Sequence, residues 1–558
     1  MIVKNSKREP NTKYISIGKT SIYSMFENAI DKSVLGLSGF NILTKDQHII
    51  LYGNREESLL FAVYELLSIL FNLEVYGEDI YSYNSEITDI KLEGYKITVA
   101  PKIQIKTANY GYLHHTVEGA LKLFARRLRV EGLYDHFISL NGISHNSTKV
   151  IDVETYYNLH PKWFANEQGT QLSYNAHGDE IELELLVEEV TNKMKVVLIT
   201  NPKQTMIAFT QADNQDWDQS IASRISYEKY GTDAAVVIQF MNRVREKIDI
   251  WFSGSGASYK RDLIIYFFAY LNTEKPPVKL EAGVYVPMDD SVVLREGVAP
   301  WIAPLVANYN QGFEHISNIN YMETIKGWQA LSTNSLLWTY SSNFNHYLVP
   351  FDSFDSMESI YNMAHETGAY LYFDQAQHNT TQPPTGWSKL KIYLNSKLAW
   401  NPMEDTNVLT DNFFTHYFGP AKTNMLNWFN DWKAHSNMLK DIYPNEYTGN
   451  NSVFKNLLNT KFFPKDKLEL WQKYARNAML DIAYLENEKI DLYQKYSDNI
   501  MLELISLEYL LIELYGDTFD HEVRSQMIEQ FFDKVSNFDI TKLNETTSIS
   551  TLYEKWNI

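Results

Sequence analysis

Residues 206–220, MIAFTQADNQDWDQS, decide how the chain is read. The stretch opens on residues of strand type, Met206, Ile207 and Phe209, and then breaks into Gln211, Asp213, Asn214, Asp216, Trp217 and Asp218. A parallel strand buried on both faces reads as a nearly continuous apolar run, and in barrels of such strands the chemistry sits where the strands end. The pattern predicts a buried strand that delivers polar side chains to the mouth of a cleft. The same residues also fit a strand followed by an acidic loop that caps the next helix, because Asp is a common N-cap.

Outward from this stretch, over residues 101–402, short apolar runs alternate with amphipathic segments. Candidate strands lie at 103–108, 136–140, 171–174, 206–210, 263–270, 292–306, 336–340 and 369–373, and helical stretches at 118–130, 180–194, 234–248 and 356–366. Eight strands with intervening helices predict an α/β fold of the (β/α)8 TIM-like barrel type. Residues 1–100 read as a small α/β unit, with strands at 13–17, 42–52 and 73–76. Its helix, at 56–70, places Leu59, Leu60, Val63, Tyr64, Leu67 and Leu70 at helical spacing. Residues 403–558 read as a helical bundle with helices at 408–417, 425–439, 467–487 and 499–514, its Trp428, Trp432 and Trp471 assigned to the core.

The predicted strands run out into groups suited to a hydroxyl-rich ligand. The first reaches Asn109, Tyr110, His114 and His115, the second Asn141, His145 and Asn146, and the fourth Asp213 and Asn214. The fifth reaches Tyr270, Asn272 and Glu274, the sixth Asn308 and Tyr309, the seventh Trp338, Tyr340 and Asn343, and the eighth Asp374, Gln375, Gln377 and His378. Amides, carboxylates and aromatic rings converging on one cleft suit a carbohydrate better than an apolar cofactor. The predicted sugar-binding set is His114, His145, Asn214, Tyr270, Asn308, Trp338, Tyr340, Asn343, Gln375 and His378.

Composition bounds the alternatives. At 558 residues the chain has room for roughly three domains. Its net charge of -19 argues against nucleic acid, which demands a positive field. With no cysteine, disulfides, thiolate nucleophiles and Cys-bound metals are excluded. No His-Glu-x-x-His pattern is present, so neither a metal nor a cofactor is predicted. The opening MIVKNSKREPNTKYISIG lacks the apolar core of a signal peptide, and no run approaches about 18 apolar residues, which predicts a soluble chain without membrane insertion.

The runs AFTQADNQDW, SYEKYGTDAAVVIQFMNRV, FFAYLNTEKPPVKLEAGVYVPMDDSVVLREGVAP, LLWTYSSNFNHYLVPFDSF and LKIYLNSKLAWNPMEDTNVLTDNFFTHYFGPA, with HPKWF and ISIGKT, resemble the domain-of-unknown-function 4838 family. Part of that family is classed as glycoside hydrolase family 163, endo-β-N-acetylglucosaminidases that cut N-glycans. The resemblance implies a small α/β domain, a catalytic barrel and helices after it, a glycan or glycoprotein substrate, and a secreted or cell-surface setting. Three departures stand out. Ala212 occupies a position where many relatives carry an acidic residue or Asn, Asp218, Ser220 and Ser223 stand where relatives tend to have Cys-x-Cys-x-x-Cys, and the N-terminal unit starts late.

Cleaving a glycosidic bond takes an acid for the leaving oxygen and, as a rule, a second carboxylate for the oxocarbenium-like state. An acetamido sugar can supply its own nucleophile, leaving the protein to orient it with a carboxylate. Asp213 and Asp374, ending the fourth and eighth strands, are the predicted pair, with Glu274, Asp289 and Asp290 in reserve. The expected function is a retaining glycoside hydrolase for β-linked N-acetylhexosamine glycans. The alternative, motivated by Ala212 and the absent cysteines, is an inactive glycan-binding or surface protein that keeps the cleft.

Overall fold

The computed structural model describes residues 9, 12–87, 89, 93–114, 120–132, 135–379, 383–447 and 452–556. The first strands are β1 (Ile15–Ile17), β2 (Phe40–Lys45) and β3 (His48–Gly53). β2 and β3 are the two arms of a hairpin and not the single predicted strand at 42–52, because Asp46 and Gln47 turn the chain with φ of 46° and 68°. Asp-Gln lacks the glycine that usually signals such a turn, so the run reads as continuous. β4 (Glu74–Val75) does not join this sheet as expected, but pairs with β5 (Tyr81–Ser82). β6 (Lys96–Val99), unread from the sequence, completes the order β1-β3-β2-β6. Helix Glu56–Phe71 lays Phe61, Ala62, Leu66 and Leu70 on Phe40, Ile42, Ile49 and Leu51.

Among the described residues the central sheet has seven strands. They are β7 (Ile105–Asn109), β8 (Phe137–Ile138), β9 (Met206–Ala208), β10 (Ile264–Ala269) and, after the hairpin of β11 (Val278–Glu281) and β12 (Val284–Pro287), β13 (Val298–Ile302), β14 (Leu336–Tyr340) and β15 (Leu371–Gln375). All are parallel, in the order β7-β15-β14-β13-β10-β9-β8. The sheet is curled, and among the described residues its edge strands β7 and β8 do not pair, so it forms a half-barrel and closure into the expected eight-stranded barrel is not seen. Residues 171–174 form no strand: Leu172 makes an isolated antiparallel bridge with Phe164. The side-chain amide of Gln171 takes over the pairing, accepting from Ala212 N at 3.1 Å and donating to Ala212 O at 3.2 Å. A Gln171→Ala protein should lose about 1–3 kcal/mol through the stranded amide, read as a lower thermal midpoint.

A buried polar cluster fills the opening between β7 and β8. Glu131 bonds the ring of His136, accepts from Ser38 Oγ at 2.6 Å and lies 3.3 Å from an Arg55 nitrogen. Burial opposes its charge, but His136, Lys106 and Arg55 together hold its pKa down at about 2. Inside the curl Ile105, Phe137, Tyr266, Phe268, Trp301 and Phe373 share one core, and the Phe137 and Trp301 rings stack at 5.5 Å. Both edges of the open sheet thus meet through side chains.

The helices wrap the outside, and those predicted at 180–194, 234–248, 356–366, 408–417, 425–439 and 499–514 form; 467–487 is interrupted after Ile482, and the start of 118–130 lies outside the described residues, with Ala120–Arg127 helical. Glu180–Thr200, for example, starts where Asp179 accepts from Ile181 N and Glu182 N. The C-terminal part packs Thr406–Tyr417, Lys422–Ile442, Lys465–Ile482, Ile490–Tyr515 and an unanticipated His521–Asn537. Trp428, Trp432 and Trp471 are core residues there, as expected. Asp352, on the loop after β14, is fully buried and joins this part to the sheet through Lys433 at 2.7 Å and Lys440 at 2.8 Å. Among the described residues no helix is long and apolar enough to cross a membrane.

Candidate active site

At the C-terminal ends of the parallel strands lies a cavity of about 490 Å³, within the usual range for a small ligand. Asn109, Ser144, His145, Asp213, Tyr270, Trp338, Tyr340, Gln375 and His378 bring polar groups to it, while Phe268, Trp301, Phe344 and Phe373 give it aromatic walls. Two further residues, Phe454 and Glu545, come from the C-terminal helical part.

Local structure explains how Asp213 gets there. β9 ends at Ala208, but Phe209 N still bonds Tyr266 O at 3.0 Å, so the chain continues beside β10. Gln211 then turns inward and donates to Phe268 O and Thr273 Oγ1, both at 2.7 Å. With Gln211 and Ala212 both pinned, Asp213 is exposed toward the cavity, where the Tyr270 hydroxyl donates to its Oδ1. Asp213 is not the cap of the following helix. Helix Ile221–Tyr230 is capped by Ser220, whose Oγ accepts from Ser223 N at 3.3 Å. Asp218, Ser220 and Ser223 meet in one cluster, in which buried Asp218 accepts from the hydroxyls of Ser220, Ser223 and Ser173 at 2.9, 2.6 and 2.7 Å.

His145 faces Gln211 O through Nδ1 at 3.0 Å, so Nδ1 must carry the proton and Nε2 is the acceptor. Burial lowers its pKa, with Asp213 pulling the other way. Trp338 Nε1 donates to Gln375 Oε1 at 2.9 Å, fixing the indole as part of an aromatic wall with Trp301 and Phe373, whose rings lie 4.9 and 4.6 Å away. Tyr340 is raised far above the ordinary tyrosine range, by burial and then by the charges of Asp213 and Glu545. Its hydroxyl therefore keeps its proton and can donate. His378 Nε2 is 3.5 Å from Glu545 Oε1.

Other predicted residues lie elsewhere. Side chains alternate along a strand, so with Phe373 and Gln375 on the concave face Asp374 must point outward. It is buried against helix Ser388–Leu398, accepting from Asn395 Nδ2 at 2.9 Å, and desolvation raises it to about 6. Asp213 and Asp374 therefore do not share a cavity, which corrects their pairing. Asn214 donates to Thr170 O at 2.8 Å. Asn308 receives Asn310 N at 3.2 Å, and Asn343 receives Asn345 N at 2.9 Å and donates to Lys455 O at 3.0 Å. These three amides shape loops outside the cavity. Glu274 is raised to about 7 by desolvation but does not line it. Asp289 pairs with Lys229 at 2.6 Å, and Asp290 is exposed beyond it. His114 ends the short helix Gly111–His114; its side chain, like residue 115, lies outside the described residues.

Glu545 and Phe454 were not anticipated. The segment around Glu545 reads LNETTS, a polar turn far from the strand ends, with no periodicity that ties it to them.

No curated protein matches the sequence. Among solved structures, a family GH115 4-O-methyl-α-glucuronidase with specificity for decorated arabinogalactans is 11% identical, with 94% of this chain and 71% of that one covered at a TM-score of 0.52. That is a likeness of fold. A GH138 enzyme targeting pectin rhamnogalacturonan II is 10% identical over 96% of this chain and 94% of that one, at a TM-score of 0.37. The family model for DUF4838, a domain of unknown function, matches residues 81–431, and the chain belongs to that family.

Proposed function

We propose that the protein is a glycoside hydrolase acting, with retention, on β-linked N-acetylhexosamine glycans, with Asp213 as the carboxylate at the reacting sugar. The observation that carries this reading is the setting of Asp213, exposed in an aromatic-walled cavity and receiving the Tyr270 hydroxyl. Aromatic faces such as Trp338 suit the apolar faces of a sugar ring, and Asn109, Gln375 and Tyr340 supply polar partners for its hydroxyls. With an acetamido sugar, the carbonyl oxygen of the substrate attacks C1 while the glycosidic electron pair leaves with the departing oxygen, which takes up a proton from water; a second water then attacks C1, reopens the ring to the acetamide and gives up its proton, so that the configuration at C1 is retained. Asp213 orients the acetamido N–H and steadies the charge that develops. The family resemblance, and the glycosidase with which the fold is shared, add to the case.

The test is turnover of an N-glycan and of an aryl β-N-acetylglucosaminide by the parent and by Asp213→Asn. Hydrolysis by the parent and none by the variant is the expected result; equal hydrolysis by both would put the chemistry elsewhere. Among the described residues one carboxylate from the strand ends, Asp213, enters the cavity, and this favours a second reading, a glycan-binding protein without turnover. Binding by the parent with no hydrolysis of either substrate would select it.

A further inference from the structure

We propose that the C-terminal helical part completes the sugar site, with Glu545 as a second ligand-facing carboxylate that accepts hydrogen bonds from uncharged sugar hydroxyls and disfavours anionic sugars. The inference rests on the cavity being the sugar site, and it concerns residues beyond 431, outside the family match.

Glu545 is not on a loose loop. Leu543 N bonds Thr547 O at 2.9 Å and Ile549 N bonds Thr541 O at 2.9 Å, closing a tight turn. Asn544 Oδ1 fastens its tip by accepting from Thr546 N at 3.0 Å and Thr547 N at 2.7 Å. The turn is tied in addition to the sheet side of the cavity, because Tyr347 N donates to Leu543 O at 2.9 Å and the Asn379 amide to Glu545 O. A backbone held at both ends presents the Glu545 side chain to the cavity. Phe454 arrives by a second route: Phe344 N bonds Val453 O at 2.7 Å, and the Phe344 and Phe454 rings lie 5.7 Å apart.

The chemistry of the carboxylate follows from its surroundings. Its ion-pair contact is His378 Nε2 at 3.5 Å, with the Glu545 side chain 42% exposed and the histidine 28%. So open a pair is worth little as a structural tie, and a carboxylate has about four lone-pair positions to fill. The capacity left over faces the cavity. Among the described residues that line it, none is Lys or Arg, while Asp213 stands in the same space. A uronic or sialic acid entering there would meet two carboxylates with only the rings of His145 and His378 beside them among the described lining residues. A neutral sugar would meet two acceptors for its hydroxyl and amide protons.

The experiment measures binding of N,N′-diacetylchitobiose and of a glucuronic-acid-terminated disaccharide to the full chain by calorimetry, for the parent, Glu545→Gln and Glu545→Ala. The parent should bind the neutral sugar at least about 10-fold more tightly than the uronate. Each substitution should weaken neutral binding by about 10- to 100-fold, the range for a hydrogen bond to a charged group. Each should also narrow the preference over the uronate, which a merely structural role for Glu545 would not change. If both variants bind both sugars as the parent does, Glu545 is a rim ion pair and the inference fails. Because the readout is binding, it is separable from the glycosidase reading. Turnover that survives Asp213→Asn would sink that reading and leave this one standing, whereas a parent that binds neither sugar would overturn both.

Discussion

Asp213→Asn should leave the protein folded and cut glycan turnover by about 10³-fold or more. The amide is nearly isosteric, and its oxygen can still accept from Tyr270, so the turn held by Gln211 and Gln171 should keep its shape. What disappears is the negative charge facing the cavity, and with it the group that steadies positive charge at the sugar carbon. The measurement is kcat and KM on an aryl β-N-acetylglucosaminide, with thermal unfolding as the control for folding. A loss confined to KM would mean that Asp213 only binds. Asp374→Asn makes the contrast: that side chain is buried behind the sheet against Asn395, so turnover should stay within a few-fold of the parent.

Asp352→Ala should be the most destabilising single change considered, at about 3–5 kcal/mol. Asp352 is fully buried and neutralises Lys440, itself only 3% exposed, as well as Lys433. Removing it leaves two cationic groups close together with only Asp355 to answer them. The two lysines hold the Asp352 carboxyl well below the ordinary carboxylate range even though burial pushes the other way. A pKa depressed in the folded state contributes stability that is present above the unfolded value and lost as pH falls through the folded one. The parent should therefore lose stability below the ordinary carboxylate range, and the Asp352→Ala protein should show a smaller slope there. Thermal midpoints from neutral pH down to about pH 3 would check both; a variant as stable as the parent would mean that this ion cluster does not hold the helical part to the sheet.

The pattern of strand and helix was legible where hydrophobic period was strong. The apolar runs ending in polar residues at β9, β10, β14 and β15 are strands, and the helices predicted after β9 and β14 form. What misled was the segment at 171–174, where Leu172 and Tyr174 alternate with polar residues in a way that suits a strand. Period says which faces are apolar, but not with which neighbour a short segment pairs, and here one glutamine amide does the pairing. The open edge between β7 and β8, filled by Glu131, His136 and Lys106, has the same origin.

The candidate site was half legible for a related reason. His145, Asp213, Tyr270, Trp338, Tyr340, Gln375 and His378 follow strand ends, and the structure brings them to one cavity. Asp374 also follows that rule in sequence, yet it is one residue out of phase, and a shift of one residue along a strand reverses the face. Asn308 and Asn343 sit past their strands, where backbone groups of their own loops and, for Asn343, of Lys455 engage their amides.

By itself the sequence determined that apolar strands would be buried, that their polar ends would gather on one side, and that no thiol chemistry is available, since burial and composition are properties of residues and their near neighbours. Only the tertiary structure decided that the edge strands β7 and β8 do not pair, that Asp374 faces away from the cavity, and that Glu545 arrives from more than 300 residues beyond Asp213. Those outcomes depend on which segments meet in space, and the contacts that bring them together are made by single side chains whose partners no local pattern encodes.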